Sequence, residues 1–306
     1  MATRARSSRT LALGAVVALS LSLSACGDDD STVTPDAGAT TAAGAATSAP
    51  AGADLAGKVP DAIKADGKII VGTDSTYAPS EFLAADGKTI QGFDIDLFNA
   101  VAAKLGLKAE FVTASFDAII PGVQSGKYEI GVSSFTINDE RKKVANMISY
   151  FSAGTQWATK AGNPNAINID DACGKKVAVQ KGTIQVDDLT ARSKKCTDAS
   201  KKAITIDQYA SQADATAAVV TGKDDAVLAD SPIVAYAVEQ TAGKLELLGD
   251  IYDSAPYGYV VKQADTAFAD VLAEALKATI ADGSYKTALE KWGVEDGGIT
   301  DPAVNP

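Results

Sequence analysis

Histidine is absent from the 306 residues. That excludes imidazole general bases, Ser-His and Cys-His nucleophile pairs, and imidazole metal ligands. Cysteine is scarce: Cys26, Cys173 and Cys196 are the three in the chain. With no histidine beside them, a zinc site is disfavoured. Positive charge is also short, with 28 Lys and Arg against 39 Asp and Glu, a net charge of −11. Such a chain has no basic patch for a phosphate backbone, so nucleic-acid binding is disfavoured. Long apolar runs are missing as well. LALGAVVALSLSLSA, from Leu11 to Ala25, spans ~15 residues where a bilayer needs about 20.

What is present at the N-terminus reads as an export signal. Arg4, Arg6 and Arg9 precede the apolar run and small residues close it, the pattern of a signal peptide over residues 1–25. The stretch LSAC, Leu23–Cys26, resembles a bacterial lipobox. That resemblance implies cleavage before Cys26 and a diacylglycerol on its sulfur, anchoring an exported chain to the outer face of the cytoplasmic membrane. An ordinary signal peptide followed by a chance cysteine is the alternative. Residues 27–57 are nearly all Ala, Gly, Thr, Ser, Pro and Asp, with one leucine and no aromatics. They bury too little apolar surface to offset chain ordering. Residues 26–57 are therefore expected to be the lipidated cysteine and a disordered tether, with a typical span of about 30 Å.

An exported chain meets oxidising conditions, where an even cysteine pair is usually a disulfide. Cys173 and Cys196 are expected to pair, contributing roughly 3 kcal/mol in the chain-entropy model. Two buried free thiols are the alternative.

From about Val59 the pattern is α/β. KIIVGT (68–73), LKAEFV (107–112) and YEIGVSS (128–134) read as strands. Between them, Phe93, Leu97, Phe98, Val101 and Leu105 recur at helical spacing before Gly106. Residues 117–126 predict a short helix interrupted around Pro121. The rhythm restarts with strands at 175–180, 203–206 and 225–230 and helices at 184–193, 208–222 and 232–241. YGYVV (257–261), a long helix from about Ala264 and a short one at SYKTALEKWG follow. Two consecutive units of this kind suggest two lobes.

The motifs GTDSTYAPSEF, GFDIDLFNAVAAKLG, FDAIIPGVQSGKYEIGVSSFTINDERKK, GKKVAVQKGTIQ, DDAVLADSP and DGSYKTALEKWG resemble the extracellular solute-binding proteins of polar amino acid ABC transporters, family 3. The resemblance covers about residues 66–294. It implies a two-lobed, type II periplasmic-binding-protein-like α/β fold whose lobes are joined by two crossover strands. Residues 58–156 with 252–306 would form lobe 1, and 157–251 lobe 2. It also implies an amino acid held in the cleft, a membrane permease as partner and, on our reading, a monomer.

Carried onto this sequence, the resemblance makes Arg141 the grip on a ligand carboxylate, to which a planar fork of donors is suited. Hydroxyls and backbone N–H groups of Ser134 and Thr136 would add donors, Ser133 would support them, and Asn138 would cap the helix at Asp139. A surface ion pair is the plain alternative for Arg141. Asp230, at a strand end, would take the ligand ammonium, or simply cap the next helix. Gly182 and Thr183 would offer backbone N–H groups from a strand-to-helix turn, and Gln180 and Gln185 are polar candidates. Ile184 departs from the family, where relatives often carry a small hydroxyl or glycine, and is kept only as a wall. Tyr77 and Phe116 would sandwich the ligand's aliphatic part, or be ordinary core. Asp74 would accept from a distal group, or be a turn residue. Glu81 would add a second negative charge or face water.

With Arg141 and Asp230 balancing the α-groups, Asp74 points to arginine, lysine, ornithine, glutamine or histidine. The expected function is delivery of such an amino acid to a permease, without chemistry. A dehydratase-like enzyme on the same fold, with Glu81 or Asp74 as proton donor, and a sensory ligand-binding lipoprotein are the alternatives.

Overall fold

The computed structural model describes residues 55–306. The expected signal peptide, Cys26 with its lipid, and the tether up to residue 54 lie outside the described residues. The end of that tether needs correction. Leu55–Lys58 form a helical turn, α1, and Leu55 is buried with Val59 in the first lobe's core. The lone leucine of the low-complexity stretch finds an apolar site, so residues 55–57 belong to the folded body.

The first lobe opens with α2 (Asp61–Lys64) and β1 (Lys68–Thr73). A small three-stranded sheet follows, of β2 (Thr76–Tyr77), β3 (Glu81–Leu83) and β4 (Ile90–Gln91). Next come α3 (Phe93–Lys104), β5 (Lys108–Thr113), α4 (Phe116–Ser125), β6 (Ile130–Gly131) and α5 (Asp139–Lys142). The chain crosses on β7 (Ala145–Lys160). The second lobe contains β8 (Lys176–Gln180), α6 (Ile184–Asp198), β9 (Thr205–Tyr209), α7 (Gln212–Thr221), β10 (Ala226–Asp230) and α8 (Ser231–Gln240). It returns on β11 (Leu245–Lys262) and ends with α9 (Thr266–Ala281) and α10 (Ser284–Glu290).

Strand order β5-β1-β6-β11-β7-β10-β8-β9 places the two long strands in the middle. β1 is parallel to β5 and β6, and β8 is parallel to β9 and β10. β7 and β11 run antiparallel to each other, with register breaks between Leu248 and Tyr252, Tyr252 and Ala255, and Tyr257 and Gly258. These are the two crossover strands, and the breaks fall where the chain passes between lobes. Separate apolar clusters fill each lobe, one around Phe98, Tyr259 and Leu272 and others around Val219 and Trp157.

Three sequence expectations change. The helix at α4 runs unbroken through Pro121, because Ile119 and Val123 on either side are fully buried and hold the turn despite the lost amide. The helix expected from residue 208 starts at Gln212, where Ser211 Oγ accepts from Asp214 N at 3.1 Å; residues 208–209 belong to β9. The strand expected over 128–134 is ladder-paired over two residues, leaving Ser133 and Ser134 outside it. Cys173 and Cys196 form a disulfide with a Cα–Cα separation of 5.6 Å, tying α6 to the loop before β8.

Candidate ligand-binding cleft

Strand ends build the site, as parallel sheets dictate. Asp74 follows β1, Ser133 and Ser134 follow β6, Gln180 ends β8 and Asp230 ends β10. Asp74 is buried and its carboxylate is filled. Oδ1 accepts from Thr76 N at 3.0 Å and Thr76 Oγ1 at 2.6 Å; Oδ2 accepts from Phe116 N at 3.1 Å and Gln180 Nε2 at 2.7 Å. The Phe116 bond makes Asp74 the cap of α4, since Ser115 supplies no side-chain cap. Burial lifts the carboxyl above its ordinary range, while the bonds from Thr76, Phe116 and Gln180 pull it back.

Arg141 sits beside this corner. Its Nη1 donates to Thr136 O at 2.7 Å and its Nη2 to Gly182 O at 3.2 Å. The guanidinium lies 5.5 Å from the ring centres of both Phe116 and Phe135, which stack on each other at 4.6 Å. Burial pushes its pKa down to about 10, and Asp230 opposes that shift, so the group stays charged at neutral pH. Asn138 Oδ1 accepts from Arg141 N at 2.8 Å and caps α5, as expected. Within the chain Arg141 has no carboxylate partner among the described ion pairs.

Asp230 holds the N-cap position of α8, yet its side chain makes no capping bond. It is turned inward, accepting from Tyr77 Oη at 2.9 Å and Gln185 Nε2 at 2.7 Å. Burial raises its pKa, partly offset by the neighbouring Tyr257, Tyr77 and Gln185 and by the charge of Arg141. From the same lobe, Thr183 precedes α6 and donates from Oγ1 to Gln180 O at 2.8 Å, while Ile184 stands half-buried at the first turn. Gly182 has φ +82°, and a Cβ there would lie 2.9 Å from Asp117 Cβ of the opposite lobe. Asp117 and Lys181 pair across the gap at 2.7 Å, and Gln212 N donates to Thr76 Oγ1 at 3.2 Å. The lobes are closed on one another.

The structure therefore brings together Asp74, Tyr77, Phe116, Thr136, Arg141, Gln180, Gly182, Thr183, Gln185 and Asp230 at one lobe junction. Ser133 and Ser134 face elsewhere. Ser133 Oγ donates to Glu81 Oε1 at 2.7 Å, and both Ser134 N and Oγ bond Asp94 Oδ2, at 2.9 and 3.2 Å. Glu81 neither adds to the cleft wall nor faces water; it is fully buried behind Ser133.

The model of bacterial extracellular solute-binding proteins, family 3, matches residues 69–295. The chain belongs to that family. An arginine-binding protein of Corynebacterium glutamicum is 34% identical over 253 residues, covering 82% of this chain and 83% of the relative. A glutamine-binding ABC transporter protein of Bacillus subtilis is 28% identical, covering 77% and 84%. Among solved structures, an ancestral arginine-binding protein bound to arginine superposes with a TM-score of 0.68 at 33% identity, covering 74% of this chain and 98% of that one. An ancestral amino acid-binding protein described as a precursor of cyclohexadienyl dehydratase gives the same score and identity, covering 76% and 98%. The fold of this family 3 member is accordingly the type II binding-protein fold.

Sequence reasoning missed Phe135, the second ring under Arg141, and the Glu81–Asp94 pair. A signal existed for Asp94. It lies between Phe93 and Ile95 in the wholly buried start of α3, where an acid has to have partners.

Proposed function

We propose that this chain captures a cationic amino acid, arginine foremost, between its two lobes and delivers it to an ABC permease. The observation that carries this reading is the pairing of opposite charges in one closed cleft. Arg141, without a carboxylate partner among the described residues, and inward-turned Asp230 each feel the other's charge. An α-amino acid offers the complement, a carboxylate for the fork of Arg141 and an ammonium for Asp230. Thr136 and the backbone of Gly182 and Thr183 would add donors to the carboxylate. Tyr77 and Phe116 would hold the aliphatic stem, with Ile184 as a wall and Gln185 steering Asp230.

Asp74 is then left for the distal group. Of its four donors, three come from its own lobe, and Gln180 comes from the other. A guanidinium reaching Asp74 displaces Gln180 and keeps the rest. An acidic ligand would meet repulsion there. The relatives named for arginine and glutamine support this chemistry. Binding is favoured over a dehydratase reaction because the carboxyls offered as proton donors are engaged, Asp74 by four donors and Glu81 behind Ser133. Export, cleavage before Cys26 and lipid anchorage complete the reading, with lobe 1 at 55–156 plus 252–306 and lobe 2 at 157–251.

The test is thermal. Purified protein is unfolded, freed of small molecules and refolded, and its melting temperature is followed with each common amino acid. Arginine, at a hundredfold excess over Kd, stabilises the folded chain by about 2.7 kcal/mol. Arg141→Ala removes the response. A rise with glutamate alone overturns the role given to Asp74, and no rise with any amino acid overturns the function.

A further inference from the structure

Behind the cleft, Glu81 on β3 and Asp94 on α3 are both fully buried, and the charge of Asp94 bears on Glu81. Asp74 N donates to Ser133 Oγ at 3.1 Å, and Ser133 Oγ donates to Glu81 Oε1 at 2.7 Å. Asp94 Oδ2 accepts three times, from Ser134 N, Ser134 Oγ and Tyr150 Oη, the last at 2.8 Å, as an ionised carboxylate does. Glu81 Oε2 and Asp94 Oδ1 are left, both buried and without a hydrogen-bond partner. Two such oxygens can satisfy each other only if one carries a hydrogen.

We propose that Glu81 and Asp94 hold one proton between them, carried on Glu81 Oε2, and that this proton sets the Ser133–Ser134 corner of the cleft. The inference rests on the amino acid reading of that cleft. Neutral Glu81 joins ionised Asp94 to Ser133 and through it to the backbone of Asp74. Ionised Asp94 in turn holds Ser134 at φ +49°, a conformation that a non-glycine residue keeps only when its surroundings fix it. Glu81 and Asp94 are positioning residues for Asp74 and for the loop that leads to Thr136 and Arg141.

The groups that face the pair favour one charge and oppose two. Asp74 and Tyr77 approach from the β1–β2 side, Tyr150 from β7 and Tyr259 from β11. Neither Glu81 nor Asp94 takes part in an ion pair among the described residues. Burial raises both carboxyls, and Glu81, which also feels the charge of Asp94, the more. A carboxyl raised in this way favours folding least at high pH, because the unfolded chain releases the proton more readily.

Two measurements on the intact chain decide the matter. Isotope-edited NMR of side-chain carboxyl carbons, with Glu81 assigned by its loss in Glu81→Gln, reports the proton without any ligand. A neutral carboxyl at neutral pH is expected, and an ionised one overturns the proposal. Calorimetric titration with L-arginine then compares variants. Glu81→Gln, whose amide repeats the donor and acceptor of the protonated acid, is expected within about threefold of wild type, and the wild type's loss of affinity at alkaline pH disappears. Glu81→Ala breaks the relay and weakens binding about tenfold. Equal weakening in both variants, or an alkaline loss that persists in Glu81→Gln, overturns the proposal. A wild-type chain that bound no amino acid would sink the functional reading, while the NMR titration would still decide the shared proton.

Discussion

Asp230 shows how burial turns a residue's charge into a pH dependence. Its carboxyl is raised by burial, whereas a bound ammonium favours the ionised form and lowers it. Binding at low pH must therefore expel a proton. Affinity is complete above the raised pKa and falls as pH drops through it. Titration calorimetry with arginine from neutral to acidic pH should show that decline, and Asp230→Asn should lose both the affinity and its pH dependence. The α-group residues were legible because their types and spacing carry the family pattern. Phe135 was not, since one aromatic in a polar stretch has no periodicity to mark it. Nor could the sequence reveal that Asp74 is filled by four donors; two of them, from Phe116 and Gln180, come from 42 and 106 residues away.

Among elements, α6 is fixed at its far end by the disulfide while its first turn faces the cleft. Replacing both cysteines with serine should cost roughly 3 kcal/mol of unfolding free energy. Chemical denaturation of the oxidised protein checks this, and no change would assign the bond a role other than stability. The parallel strands and most helices could be read from apolar runs and caps. β7 could not. All but two of its 16 residues are buried, so the alternation that announces a half-exposed strand is absent. Its length and its antiparallel partner β11 are settled by long-range pairing.

For the whole molecule, closure is a two-state equilibrium that ligand contacts bias. Gln180 to Asp74, Arg141 to Gly182 and Lys181 to Asp117 all span the lobes. Gln180→Ala removes the buried one of these, a net loss of about 1 kcal/mol. Without amino acid, the closed-to-open ratio should fall about fivefold, read as an increase in radius of gyration by X-ray scattering, and apparent affinity should rise, because the ligand no longer has to break the Gln180 bond. An unchanged scattering profile would mean that Gln180 does not hold the lobes.

The Asp74–Gln180 bond has a further consequence, for the economy of transport. A carrier that latches itself shut when empty offers its importer the shape of a loaded one. Each such false docking risks a cycle of nucleotide hydrolysis that moves nothing. A cargo that has to break the latch before forming its own contacts gives up affinity in exchange. The strength of one buried amide–carboxylate bond therefore bears on two quantities at once: how scarce an amino acid the cell can still harvest, and how much fuel it wastes when none is there.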